Sequence, residues 1–259
     1  MILYHYTTFD NFFLIWESRV LRFSYSKYTN DYFEREKTYV FCQDTFTYKG
    51  KPLDRTCFKG FREGIIEELD KYRQVSFCLD YSRKMPGYAS PMMWGQYARS
   101  KNKEGLWQDG VCLALDSEKL VRPTSPFFER KVNYSDNVKP PFVRGIDFTR
   151  KDAAERFVMK NKYQLFFNKH RHWEHEREYR FVSKTAKEIG IADAIVGVYV
   201  LYTDDSTLDR IEEVVKDDKI INLVRTEGIK SINLGAINLW DIRDMQEMLR
   251  KMNEGKIKW

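Results

Sequence analysis

The apolar residues of this chain change rhythm repeatedly, and each change marks an element. A short apolar run over Ile2–Tyr6 reads as a first strand. Phe9, Phe12, Phe13 and Trp16 then recur at helical spacing, a stripe that Thr8 or Asp10 can cap. Val20–Ser24 reads as a second strand. From Lys27 to Asp54 aromatic and polar residues mix without a period, which predicts mostly loop with a short helix near Phe33. Phe58, Phe61, Ile65, Leu69 and Tyr72 restore the helical stripe. Val75–Leu79 is the next strand, and Ser90–Arg99 a helix entered through Pro91. Strands over Gly110–Leu115 and Phe128–Tyr134 follow, and Pro140-Pro141 breaks the chain after them. Thr149 caps a helix from Arg150 to Phe167. Glu178–Ser183 and Ile195–Leu201 are strands, Leu208–Val215 a helix, Ser231–Ile237 a last strand and Trp240–Met252 a terminal helix.

Helices fall among the strands without strict alternation. That predicts an α+β fold with a mixed or antiparallel central sheet and peripheral helices. No clean linker divides the chain, so one catalytic domain over residues 1–259 is expected, with Pro140-Pro141 as its weakest point. Charged residues make up 32% of the chain, but aromatics at 15% supply enough large side chains for a core. No apolar run approaches the ~18 residues of a membrane span, and the N-terminus lacks a signal-peptide pattern. The four cysteines form no C-x-x-C pair, and Cys78 and Cys112 sit in apolar runs as buried thiols. A reduced, cytoplasmic protein is expected. The net charge of +6 permits a nucleic-acid partner without demanding one.

Two motifs carry candidate chemistry. Leu3-Tyr4-His5-Tyr6-Thr7-Thr8 puts His5 and Thr7 on one side of a strand, because residues two apart share a face. In Trp173-Glu174-His175-Glu176-Arg177-Glu178-Tyr179-Arg180 the same spacing pairs Glu176 with Glu178. Cleaving the nicotinamide–ribose bond of NAD creates an oxocarbenium-like sugar. Such a site needs a carboxylate for the developing charge, an aromatic surface for nicotinamide and polar groups for the sugars. Glu178 and Glu176, Trp94 or Tyr97, and His5 with Thr7 supply them. Each also has a plainer reading. His5 is a satisfied strand histidine, the two glutamates are the wet face of a strand, and Trp94 and Tyr97 are core residues three apart on a helix.

The opening Leu3-Tyr4-His5-Tyr6-Thr7-Thr8, with Asn11-Phe12, Ile15 and Val20-Leu21-Arg22, resembles the DNA-targeting ADP-ribosyltransferase toxins called DarT. The His strand, a middle aromatic and the late Glu are similar to ADP-ribosyltransferases of the His-Tyr-Glu type. The chain also resembles a large uncharacterised family of bacterial proteins. It does so through Asn30-Asp31 with Glu34, Ser76-Phe77-Cys78, Met93-Trp94-Gly95 with Tyr97-Ala98, Gly110-Val111-Cys112-Leu113 and the Glu176–Arg180 motif. The resemblance implies an ADP-ribosyltransferase-like fold. It implies NAD as substrate, Glu178 as catalytic carboxylate and Glu176 as an auxiliary acid that orients the target. It further implies His5 and Thr7 as NAD-binding residues, Arg22 on the pyrophosphate, and Trp94 or Tyr97 on nicotinamide. The middle motif departs from the family pattern, so which aromatic meets the cofactor stays open.

Three of the four histidines, His170, His172 and His175, crowd beside Glu174 and Glu176. Their spacing is not His-Glu-x-x-His, no second ligand cluster exists, and no metal is expected. With Lys169, Arg171 and Arg177 they read instead as a basic approach to the Glu motif, suited to phosphate. The sequence therefore points to an ADP-ribosyltransferase that modifies nucleic acid, RNA or DNA, as a toxin or anti-phage effector, with an antitoxin or immunity partner conceivable and no membrane partner. Three rivals remain: a protein-modifying transferase, a metal-dependent nuclease using Asp31, Glu34, Glu176 and Glu178, and a non-catalytic binding module of a defence system.

Overall fold

A computed structural model describes residues 1–26, 29, 31, 34, 47–48, 51–52, 55–82, 85–101, 104–105, 107–138, 141, 150–201, 205–215, 221–225 and 229–234. Among the described residues, seventeen strands run in chain order. They are β1 (Ile2–Thr7), β2 (Val20–Arg22), β3 (Ser24–Tyr25), β4 (Thr47–Tyr48), β5 (Lys51–Pro52), β6 (Arg73–Cys78), β7 (Arg99–Lys101), β8 (Trp107–Asp109) and β9 (Val111–Asp116), followed by β10 (Phe128–Lys131), β11 (Asn133–Ser135), β12 (Asn168–His170), β13 (Glu178–Ser183), β14 (Glu188–Gly190), β15 (Ile195–Leu201), β16 (Ile221–Arg225) and β17 (Ile229–Leu234). The central sheet has nine strands in the order β10-β13-β6-β1-β9-β15-β17-β16, with β3 beside β6. Every pairing in it is antiparallel. The fold is thus α+β with an antiparallel main sheet, and the small β11–β12 pair is parallel.

Both faces of the sheet are covered. Leu3, Phe77, Leu113, Phe181 and Val198 pack with Phe9, Phe12 and Trp16 of the Phe9–Ser18 helix. Thr8 caps that helix by accepting the Asn11 N–H at 3.4 Å. On the other face Tyr4, Tyr6, Cys112 and Ala114 pack with Met93 and Trp94 of the Pro91–Tyr97 helix, which Ser90 caps. A third cluster joins Phe61, Ile65 and Leu69 of the Arg55–Leu69 helix to Phe157, Phe166 and Val182. Cys78 and Cys112 are buried free thiols. Among the described residues no helix is long and apolar enough to cross a membrane.

Four elements differ from the sequence expectation for visible reasons. The strand expected over Val20–Ser24 divides at Phe23, whose N–H donates to the Lys187 carbonyl at 2.8 Å, so β2 pairs β14 while β3 joins the main sheet. The strand over Phe128–Tyr134 divides after Val132: its N–H extends the β10–β13 ladder to the Glu178 carbonyl at 2.9 Å, and the next N–H, of Asn133, leaves it for the Phe167 carbonyl at 2.7 Å. The helix expected to Phe167 is two, Ala153–Lys160 and Lys162–Phe166. Between them the Asn161 amide donates to the Phe157 carbonyl at 2.9 Å, competing with the backbone ladder. Finally, Glu176 does not lie on a strand with Glu178, as shown below. The Phe33 helix, the Thr149 cap and the Trp240–Met252 helix fall outside the described residues.

Candidate active site

One edge of β6 is shared by two partners. β1 meets it at Tyr4–Cys78, and β3 meets it at Ser24–Gln74 and Tyr25–Arg73. Between those points the edge opens into a cavity of about 410 Å³, within the range of roughly 300–1,000 Å³ typical of ligand pockets. His5 stands at the opening. Its Nδ1–H donates to the Ser76 carbonyl at 3.2 Å, replacing the strand donor that β1 no longer supplies there. Burial lowers the imidazole pKa against the opposing effect of that hydrogen bond. The ring is therefore neutral, its proton sits on Nδ1, and Nε2 is left as an acceptor.

Glu176 and Glu178 reach the same cavity by a route the alternation rule does not describe. A 3-10 helix spans Arg171–Glu176, and β13 starts at Glu178. Arg177 between them adopts a left-handed conformation with φ 46°. Such a backbone is strained for a residue with a Cβ. It persists because the Arg177 N–H donates to Glu174 and its carbonyl accepts from Leu79. This kink, rather than a shared strand face, brings the two carboxylates together.

They meet on Lys169 of β12. Its Nζ lies 2.6 Å from Glu176 Oε2, 3.0 Å from Glu178 Oε2 and 3.9 Å from Glu34 Oε2. Arg180, two residues along β13, grips Glu178 through Nε and Nη2, each at 2.7 Å, and reaches Glu34 Oε1 at 2.7 Å through Nη1. Two further hydrogen bonds join the cluster: the Tyr97 hydroxyl donates to Glu176, and Arg180 Nη1 also donates to the Phe166 carbonyl, while Glu34 Oε2 has no hydrogen-bond partner. Three carboxylates thus face two cations, none more than 7% exposed. Desolvation alone costs several kcal/mol per ion, so this is an expensive arrangement to hold for stability.

The environment drives the two glutamates apart. Burial pushes Glu178 up, but Arg180 and then Lys169 outweigh it and hold the carboxyl well below the usual range. Burial also raises Glu176, and although Lys169 opposes it, the Glu178 charge adds to the rise. The two carboxyls are shifted in opposite directions, a split characteristic of acid–base sites.

Of the residues singled out from sequence, His5, Arg22, Tyr97, Lys169, Glu176 and Glu178 line the cavity. Thr7 is buried in the β1–β9 ladder opposite Val111, and Thr8 lines the wall instead. Trp94 stands behind the wall, its indole N–H on the Tyr88 carbonyl and its ring edge-on to Tyr6. Tyr97, not Trp94, is therefore the aromatic that meets the cavity. Lys169 is the clearest departure, because an ammonium buried among carboxylates does not serve as a surface contact for phosphate. Arg171 is exposed and ion-paired to Asp136 at 3.0 Å, and Arg177 donates to the Asp80 carbonyl. His175 touches Gln96 on the cavity wall, and its ring nitrogens are engaged by Gln96 and the His172 carbonyl. Among the described residues no group of three or more His, Cys, Asp or Glu is arranged to hold a metal.

Arg180, Tyr25 and Arg99 were missed. Arg180 could have been found from the Glu-x-Arg spacing, which places it on the Glu178 face of β13. Tyr25 and Arg99 line the cavity without any local motif. Residues 93–181 are similar to a family described as protein of unknown function (DUF2971). The matched stretch holds Tyr97, Lys169, Glu176, Glu178 and Arg180, while His5, Arg22 and Glu34 lie before it. No curated protein and no solved structure matches the chain.

Proposed function

We propose that this protein is an NAD-dependent ADP-ribosyltransferase, with an ADP-ribosyltransferase-like fold, that modifies a macromolecule, nucleic acid before protein, as a bacterial toxin or anti-phage effector. The observation that carries the reading is one cavity joining neutral His5 to an ionised Glu178 across the opened edge of β6. When the C1′–N bond of the nicotinamide riboside breaks, its electron pair goes to the pyridinium ring. Positive charge then develops on the ribose. A carboxylate already ionised and clamped at both oxygens by Arg180 stabilises that charge without reorganising. His5 Nε2 accepts from a ribose hydroxyl or the carboxamide. Tyr97 offers an aromatic surface, and Arg22 presents a guanidinium fork for the pyrophosphate. Glu176, whose raised pKa makes its carboxylate a stronger base than an ordinary one, is suited in its ionised form to take up the proton that the acceptor loses.

The metal-nuclease alternative fits less well. Lys169 and Arg180 are ion-paired with Glu34, Glu176 and Glu178 and stand where a divalent ion would have to enter.

The test is nicotinamide release from NAD, followed by chromatography with total cell lysate as acceptor source. Wild-type protein releases nicotinamide, and Glu178→Gln lowers the rate by ~10²–10³. Adenine-labelled NAD then shows whether label enters the nucleic-acid or the protein fraction. A folded wild type that never consumes NAD ends the proposal.

A further inference from the structure

A short hairpin stands at the cavity and does nothing for the core. β7 and β8 pair Arg99 with Asp109, Ser100 with Gln108 and Lys101 with Trp107. Directly opposed residues, and residues two apart, share a face. The positions of Arg99, Lys101, Trp107 and Asp109 therefore share one side of the ribbon, with those of Ser100 and Gln108 on the other. Trp107 is 59% exposed, the most exposed aromatic among the described large hydrophobics. The Arg99 guanidinium carbon and the Lys101 ammonium lie 5.1 and 5.3 Å from its ring centroid. Arg99 also lines the cavity, so this face runs from open solvent to the mouth of the site. Arg22, on the same cavity, adds a further cation. The acidic Glu104 sits on the turn between the strands and is exposed.

We infer that the Arg99–Lys101–Trp107 face is a stacking platform for unpaired bases of single-stranded nucleic acid, feeding the strand toward the cavity. A flat ring offered to solvent takes any base, because every base has a π-face, and the flanking cations match the phosphates that follow it. A duplex keeps its base faces stacked away from such a ring. The inference rests on the ADP-ribosyltransferase reading only for what happens after binding, where it names the acceptor as a single strand.

The test is fluorescence anisotropy with a fluorescein-labelled oligothymidylate of about twenty nucleotides, long enough for a site of ~4–16 nucleotides. Trp107→Ala weakens binding by about tenfold or more, and Trp107→Phe stays close to wild type. A matched oligonucleotide lacking bases binds wild type and Trp107→Ala alike. Lys101→Gln reduces the slope of log affinity against log salt by about one. Trp107 is exposed, so the variants keep the wild-type melting temperature, and nicotinamide release without acceptor is unchanged in Trp107→Ala. Equal affinity of wild type and Trp107→Ala for the oligothymidylate overturns the platform. So does duplex binding as tight as single-strand binding, or a Trp107 effect confined to labelling of the protein fraction. Trp107-dependent binding in a wild type that never releases nicotinamide sinks the transferase reading and leaves the platform standing. The reverse pattern sinks the platform alone.

Discussion

β9 and β13 are both buried six-residue strands of one sheet, yet they follow opposite chemistry. Val111–Leu115 is apolar and closed to solvent throughout. β13 opens with Glu178 and continues through Arg180, both buried nearly as deeply as the leucines of β9. The apolar strand gains free energy from each side chain it buries, about 1.5–3 kcal/mol for a large one. The charged strand gives up several kcal/mol of hydration per ion and regains it only through pairing. A sheet that can bury β9 cheaply has no structural need for β13 as written. The difference teaches where to look for function: at the strand that breaks the burial rule and borders a cavity.

The sharpest way to break this comparison is to treat the two strands alike. Leu113→Ala in β9 costs about 2–5 kcal/mol through lost contacts and a cavity. Arg180→Met costs about 3–5 kcal/mol for a different reason, since it strands Glu178 and Glu34 without their guanidinium. The double variant Glu178→Met/Arg180→Met should recover much of that loss, because it removes one charge of each sign. It should also abolish NAD cleavage. Urea unfolding of the single and double variants checks this. A double variant no more stable than Arg180→Met would mean the pair is structural in its own right.

His5 sits on β1, between the two strands. Its interaction with the Ser76 carbonyl crosses the opened edge. His5→Ala is expected to raise the NAD dissociation constant by about tenfold, a loss within the ~1–3 kcal/mol of an unpaired buried partner. Calorimetry on the folded variant checks it, and an unchanged affinity would make His5 a strand residue like its neighbours.

The charged region also predicts a pH dependence that β9 cannot have. Glu178 is depressed, so its contribution is present above the unfolded pKa of ~4.3. It is lost as pH falls toward the folded value. Glu176 is raised, so its contribution is present below ~4.3 and is lost as pH rises through the folded value. Glu176→Gln mimics the acid form at every pH. Its stability relative to wild type should therefore climb as pH rises from the acid range toward neutrality, then level off. Urea midpoints of both proteins across that range decide it, and a variant that loses ground with rising pH would reverse the assignment.

How much of this was legible follows the same divide. β1, β9 and β15 are apolar runs, and burial is what such runs predict, so their places were readable almost to the residue. The Thr8 cap was readable because it is local. His5, Glu176 and Glu178 were readable as candidates from motif chemistry, and they do line one cavity, but the route that unites them was not readable. The left-handed Arg177 carries no glycine to announce it. Lys169 lies in the run Lys169-His170-Arg171-His172, which looks like a solvated patch. Only the β12 alternation, buried at Lys169 and half-buried on either side, turns its ammonium inward to partners distant in sequence. Sharing of the β6 edge between β1 and β3 is a tertiary event with no local trace.

The smallest effect comes from moving the comparison to the surface. The Arg171–Asp136 contact is 3.0 Å long, against 2.7 Å for Arg180–Glu178, but its side chains are 57% and 70% exposed rather than 2% and 4%. Water solvates both partners in the open state, salt screens them, and ordering two flexible side chains offsets the attraction, so such pairs contribute ~0–1 kcal/mol. Arg171→Gln should leave the urea midpoint nearly unchanged and nicotinamide release intact. It should lower the salt slope of oligonucleotide binding by at most about one, the share of a single phosphate contact. A stability loss comparable to that of Arg180→Met would mean that charge matters here irrespective of burial, and the contrast between β9 and β13 would lose its physical basis.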